Sequence, residues 1–257
     1  MPGGHDRAVA ISMRGVVTVL LPGTGSDDDY LNRALAGPLK RAGALVTSVA
    51  PDPQRVVQSY LQALDRALDQ TSAQSGDSGC IAVGGVSLGA AVAARWASSH
   101  QQHTAAVLAV LPPWTGEPNG APAAVSARHT AETLRRDGLD ATTAVMRASS
   151  PRWLADELAR SWRRQWPGLP DAMDEAAAYP APTAEDLRRL DVPLAVVAAS
   201  DDAVHPAQVA ADWVSWAPRA ALRTVRLEEF GPDPELLGQA CIDALRAIDE
   251  GRPDSPD

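Results

Sequence analysis

The sequence predicts an α/β fold, a doubly wound and mostly parallel sheet with one helical cap insertion. Three observations carry that prediction. Short apolar, β-branched runs alternate with segments of helical periodicity through most of the chain. Two of the runs, Ala105 to Leu111 and Pro193 to Ala199, are continuously apolar, the pattern of strands covered on both faces by helices. From Pro112 to about Asp191 the strand pattern stops and only helix signals continue.

Taken in order, the first strand is Val16-Val17-Thr18-Val19-Leu20-Leu21, which breaks at Pro22-Gly23. Leu31, Leu35 and Leu39 then recur at helical spacing. Ser26 and Asp29 stand as a capping box for that helix, which puts the acidic run Asp27-Asp28-Asp29 in its first turn. Ala44 to Val49 is the second strand, and Val57, Leu61, Leu64 and Leu68 mark the next helix. Cys80-Ile81-Ala82-Val83 leads through Gly85-Val86-Ser87-Leu88-Gly89 into the helix-like run Ala90 to Trp96. Ala105 to Leu111 follows as the fourth strand.

Within the insertion, Ser150-Pro151 and Thr183-x-x-Asp186 read as helix starts with cap residues in place. It also holds Trp114, Trp153, Trp162 and Trp166, and at the carboxyl edge of a parallel sheet it is placed to roof a pocket. Pro193 to Ala199 is the fifth strand; Ala221 to Leu227 alternates more and reads as lying nearer an edge. Leu237, Cys241, Ala244, Leu245 and Ile248 form one side of the last helix. The expected organisation is a core of residues 1–111 and 192–250, a helical insertion over 112–191, and a frayed polar tail over 251–257. No internal repeat interrupts it.

Composition excludes several classes of function. A chain of 257 residues is long enough for one substantial core, and its net charge of −9 offers no basic stripe to displace counterions from nucleic-acid phosphates. Lys40 is the only lysine, which together with the abundant alanine reads as base composition rather than function. The two cysteines, Cys80 and Cys241, fall at the start of a strand and on the inner stripe of a helix, as small hydrophobes rather than disulfide or metal partners. No apolar segment approaches the ~18 residues that span a bilayer, and the N-terminal residues lack the apolar core of a signal peptide. A cytoplasmic protein with no cofactor, no metal, no nucleic-acid partner and no membrane partner is expected, acting on a small molecule; its oligomeric state is not readable.

The chemistry sits at Ser87. Gly-x-Ser-x-Gly at a strand-to-helix junction is the nucleophile elbow, in which glycines permit a turn tight enough to expose the serine hydroxyl. The hydroxyl then lies at a helix N-terminus, where orphan N–H groups and the macrodipole favour developing negative charge. A plain glycine turn that lets strand and helix pack closely is the structural alternative.

With these pieces in this order, the chain resembles the α/β-hydrolase superfamily over roughly residues 15 to 248. The resemblance rests on a strand ending in Leu21-Pro22-Gly23-Thr24-Gly25, the elbow at Ser87, a helical cap, and the acidic turn Asp201-Asp202-Ala203-Val204-His205-Pro206. It implies Asp202 as the acid of a triad, four residues before Pro206, and an oxyanion hole from the backbone N–H groups of Thr24 and Leu88. The loop after the first strand reads Pro22-Gly23 where the family often has His-Gly, which leaves backbone donors unaffected.

A second departure bears on activity. The family's base usually follows the last strand, but here that turn reads Phe230-Gly231-Pro232-Asp233-Pro234, and no histidine follows His205. Without a base the serine hydroxyl is a weak nucleophile. His205 serves either as filler of the hydrophobic slot before Pro206 or as a substitute base, provided its loop spans the ~10 Å between a strand and its second neighbour. His129 is placed to hang into the pocket from the insertion, and Trp114, which follows the strand adjacent to the elbow, is expected to line the pocket nearest the site; His100 and His103 flank the far end of the elbow helix. Asp201 reads as a helix-capping neighbour of Asp202. The arginines of the insertion, interspersed with acids, read as a solvated face.

The expected function is a serine hydrolase acting on a small ester, thioester or lactone. The alternative is a non-hydrolytic binding or scaffold protein of the same fold. A nucleotide-binding role for Gly23-Thr24-Gly25 lacks the later glycine and the ribose-binding acid of the dinucleotide fingerprint.

Overall fold

The computed structural model describes residues 11–75 and 79–251. Six strands form one sheet: β1 (Val17–Leu21), β2 (Leu45–Ser48), β3 (Ile81–Val86), β4 (Thr104–Val110), β5 (Leu194–Ala199) and β6 (Ala220–Val225). Their order is β2-β1-β3-β4-β5-β6, and every neighbouring pair is parallel. The chain thus winds outward from the centre in both directions. β2 and β6 take the edges, which accounts for the alternation of Ala221 to Val225 and for Leu45 being an exposed leucine. The last strand is shorter than its sequence pattern suggests, because Leu227 leaves it to open the short helix α10 (Leu227–Phe230).

The continuously apolar strands are explained by what covers them. Val19, Leu21, Val83, Val107, Ala109 and Val196 face one layer, packed with α3 (Val56–Ser75), α4 (Leu88–Ser99) and α9 (Ala207–Trp216). Leu20, Ala82, Leu108, Val110, Ala195 and Val197 face the other, packed with the helical residues 28–41 and with α11 (Glu235–Glu250). Successive side chains alternate between layers because the strand period is two, so both sets must be apolar. The helix over 28–41 comprises α1 (Asp28–Leu31), a π-helical turn (Asn32–Ala36) and α2 (Gly37–Arg41), and it buries Leu31, Leu35 and Leu39.

Between β4 and β5 the described chain is helical: α5 (Pro122–Ser149), α6 (Arg152–Gln165), α7 (Leu169–Ala178) and α8 (Ala184–Arg188). α5 bends at Gly138, whose φ of 81° is one that glycine tolerates without strain. Thr183 and Asp186 form a reciprocal capping box at the start of α8. At α6 the N-cap is Pro151 itself, one residue later than Ser150. Ala131, Leu134, Trp162, Leu169 and Met173 give α5, α6 and α7 a small core of their own. α8 instead packs on α4 and α9. The tail expected over 251–257 lies, beyond Gly251, outside the described residues, as do residues 1–10.

Two local expectations are corrected. The N-cap of α1 is Asp27 rather than Ser26: its carboxylate accepts from the Tyr30 N–H at 3.1 Å. Cys80 is exposed, because the sheet does not begin until Ile81, whereas Cys241 is buried and its thiol pKa is pushed up to about 12 by desolvation.

Candidate active site

The elbow is a steric construction. A Cβ on Gly85 would lie 2.1 Å from the Leu21 carbonyl oxygen, and one on Gly89 would lie 2.0 Å from the same atom. Both glycines are therefore required for β3 and α4 to pass so close to the end of β1. Between them Ser87 adopts φ 52° and ψ −115°, a conformation rare for a residue with a side chain and characteristic of strained functional turns. Gly89→Ala is expected to lower thermal stability sharply, since the clash is with backbone and overpacking typically costs about 1–3 kcal/mol or more. A melting curve superimposable on the wild type would show that β1 yields where this packing says it does not.

The acid and the imidazole come from one turn after β5. Asp202 accepts at Oδ1 from the Val204 N–H at 2.8 Å and the His205 N–H at 3.1 Å, which folds the turn over its own carboxylate. Its Oδ2 lies 2.8 Å from His205 Nδ1, and His205 Nε2 lies 2.9 Å from Ser87 Oγ. β5 is two places from β3, so this turn leans back across the end of β4 to reach the elbow. Burial pushes the Asp202 carboxyl up, but the His205 hydrogen bond and charge, with the two backbone N–H groups, outweigh it and hold the pKa below the ordinary value. An ionised carboxylate only accepts, so Nδ1 carries the ring proton and the Nε2 lone pair is left to accept from the Ser87 hydroxyl.

The turn after β6, where the resemblance leads one to look for a base, is filled by apolar side chains. Phe230 is buried in an edge-to-face contact with Trp153 of α6, with ring centroids 5.4 Å apart. Trp153 also lies against Gly231, where a Cβ would stand 2.2 Å from Nε1. Asp201 does not join the Ser87 cluster; its carboxylate accepts from the Leu227 N–H at 2.7 Å and ties the turn after β5 to α10.

Ser87, His205 and Asp202 open into a cavity of about 780 Å³. Its wall includes Thr24, Tyr30, Trp114, Trp153, Leu154 and Phe230, with Val145 and Val204 as exposed residues of the rim. Gly23 brings the loop after β1 against the elbow, since a Cβ on it would lie 3.4 Å from Ser87 Cβ. Among the described residues the backbone N–H groups of Thr24 and Leu88 find no acceptor in the chain.

His129 lines the cavity, but no hydrogen bond joins its ring to Ser87. His100 stacks on Trp96 and His103 bonds the Gly79 carbonyl, both at the opposite end of the sheet from Ser87. Trp114 is anchored by its indole N–H to the Tyr179 carbonyl at 3.1 Å. The arginines of the insertion are largely engaged: Arg135 with Asp171 and Asp174, Arg147 with Asp156, and Arg160 with Asp27, Asp29 and Glu157. Among the described residues no cluster of three or more His, Cys, Asp or Glu forms a metal site, and no helix is long and apolar enough to cross a membrane. Tyr30 on the cavity wall and Gln165 on the loop after β1 are ordinary helix residues by pattern and carry no signal until the layers are docked.

The fold agrees with comparisons to known proteins. The sequence profile of the alpha/beta hydrolase family matches residues 5–231. No curated protein sequence matches the chain significantly. Solved structures resemble it at low identity. A carboxylesterase study of the thaumarchaeon Nitrososphaera gargenis supplies one at TM-score 0.71 and 16% identity, covering 93% of each chain. A thermophilic esterase from Thermogutta terrifontis with malate bound aligns at TM-score 0.65 and 18% identity over 92% of each chain. A putative non-heme bromoperoxidase, BpoC, from Mycobacterium tuberculosis aligns at TM-score 0.65 and 16% identity over 95% of this chain and 99% of that one. At such identities the structures speak for the fold alone. With the parallel sheet, the elbow at its centre and a family match across most of its length, the chain belongs to the alpha/beta hydrolase family.

Proposed function

We propose that the protein is a serine hydrolase of small esters, thioesters or lactones, with Ser87 as nucleophile, His205 as general base and Asp202 as the acid that orients it. The observation that carries this reading is the unbroken line from Ser87 Oγ to His205 Nε2 at 2.9 Å and from His205 Nδ1 to Asp202 Oδ2 at 2.8 Å. As Ser87 Oγ attacks the carbonyl carbon, its proton passes to Nε2, and the Thr24 and Leu88 N–H groups take the oxyanion. The imidazolium, stabilised by Asp202, then gives that proton to the departing alkoxide or thiolate. A water deprotonated by His205 releases the acyl group and restores Ser87.

Residues 112–191 act in this reading as a helical cap whose α5, α6 and α7 wall the cavity, with α8 leaning on the core. The charged side chains on the wall, Glu157, Arg160, Asp201 and Asp202, are each already engaged within the protein. That leaves an apolar space suited to a neutral substrate, within the roughly 300–1,000 Å³ typical of small-molecule sites. The non-hydrolytic reading finds less support, since His205 lies within hydrogen-bond reach of Ser87 although no imidazole follows the last strand.

A fluorophosphonate probe tests the proposal. The wild type is expected to be labelled and Ser87→Ala to lose the label. Labelling that persists in Ser87→Ala would place the nucleophile elsewhere, and a wild type that resists the probe would speak for ligand binding without hydrolysis.

A further inference from the structure

The loop that carries Thr24 is held by side chains from a helix far away in sequence. Gln165 of α6 donates from Nε2 to the Ser26 carbonyl oxygen at 2.9 Å and to Ser161 Oγ at 2.8 Å. Arg160 grips the Asp27 carboxylate with two bonds, Nη1 to Oδ2 at 2.9 Å and Nη2 to Oδ1 at 3.0 Å, and Arg164 adds a third at 3.3 Å. Between them Trp162 presses its indole on Gly25, where a Cβ would lie 2.8 Å from Nε1. Residues 160 and 164, and 161 and 165, are four apart and so share one face of the helix.

One side of these contacts is buried. Asp27 is 2% exposed, Gln165 5% and Ser161 1%, whereas the guanidinium groups of Arg160 and Arg164 stay partly in solvent, so the geometry of the bidentate grip rather than its charge carries the restraint. Before Asp27, whose carboxylate and carbonyl accept from the N–H groups of Tyr30 and Leu31, the loop's own backbone contributes one hydrogen bond, Ser26 N–H to the Gly23 carbonyl at 3.0 Å, and Gly25 at φ 71° adds conformational freedom rather than restraint.

We propose that Gln165 and Arg160 are positioning residues for the oxyanion hole, so that the hole is assembled only while α6 is seated on the loop after β1. Gln165 fixes the carbonyl two residues beyond Thr24, and Arg160 fixes the next residue. The restraint reaches Thr24 through the Ser26 N–H bond to the Gly23 carbonyl, which belongs to the same peptide as the Thr24 N–H. This inference rests on the hydrolase reading above.

The test uses the full chain, p-nitrophenyl esters as substrates, and a boronic acid that forms a tetrahedral adduct with an active serine. Gln165→Leu is expected to lower kcat about tenfold to a hundredfold with KM within about twofold, since a shift of ~1 Å in a reacting group costs that much without touching ground-state binding. Affinity for the boronic acid falls by the same factor, and backbone hydrogen exchange quickens over residues 22–27 but not over the elbow. Asp27→Asn keeps the amide oxygen as N-cap acceptor while removing the charge beneath the arginines. It gives a smaller loss in the same parameter and serves if Gln165→Leu does not fold. A folded variant of either kind that retains wild-type kcat, or that loses efficiency through KM alone, overturns the proposal and leaves the serine mechanism standing. Absence of Ser87-dependent turnover in the wild type removes the hydrolase reading and this proposal with it.

Discussion

On the proposed mechanism, His205→Ala is expected to lower ester turnover by on the order of 10⁴-fold or more, with the double variant with Ser87→Ala no slower than either single variant. Nucleophile and base act as a unit: without a ring nitrogen to take its proton, the Ser87 hydroxyl attacks no better than an ordinary alcohol. What survives is the contribution of binding and the backbone donors of Thr24 and Leu88. KM changes little, because the imidazole meets the hydroxyl rather than the substrate. Steady-state kinetics of the three variants on p-nitrophenyl esters decide the matter. A His205→Ala enzyme within about tenfold of the wild type would mean that some other group relieves Ser87 of its proton, since such a loss is below the usual contribution of a positioned base.

Asp202→Asn is expected to cost about 10⁴-fold in kcat with the fold intact, through the tautomer rather than the geometry. Two backbone donors, the Val204 and His205 N–H groups, converge on Oδ1, so the amide oxygen of asparagine takes that side. Its NH₂ then faces His205 Nδ1, which becomes an acceptor, and the ring proton moves to Nε2, where it points at Ser87. The same substitution alters the pH dependence of stability. The Asp202 pKa is lowered in the folded state: burial raises it, but His205 and the two N–H groups prevail. A carboxylate depressed on folding contributes stability that is fully present above its unfolded pKa of about 3.9 and is lost as pH falls through the lower folded value. Urea unfolding across the acid range should therefore show a shallower loss of stability in Asp202→Asn than in the wild type. Equal slopes would mean that Asp202 is not held ionised by folding.

Local chemistry explains which parts of this protein were legible in the chain. The strands and helices follow from periodicity, because a residue buried between two layers has to be apolar whatever its neighbours do, and the alternation of Val19 and Leu21 with Leu20 serves both layers at once. The elbow was legible because Gly85 and Gly89 are demanded by backbone approach rather than by taste in side chains. Asp202 was singled out by the resemblance, as the acid four residues before Pro206. The N-cap of α1 was misplaced by one residue because Ser26 and Asp27 are both good caps. Only tertiary contact with Arg160 and Arg164 draws Asp27 inward.

The layered parallel sheet, the tight turn of Ser87 at its centre and a helical segment between the fourth and fifth strands were legible in the chain alone. Those are consequences of short-range sterics and of period, which each stretch of chain carries within itself. Tertiary structure alone decided that the turn of Asp202 to Pro206 leans across β4 until His205 meets Ser87. It also decided that Phe230 and Trp153 close the turn after the last strand, and that Gln165 reaches the loop of Thr24. Each of these joins residues more than a hundred positions or several elements apart, and the direction of a loop or the docking of a helix is set by the surfaces it lands on.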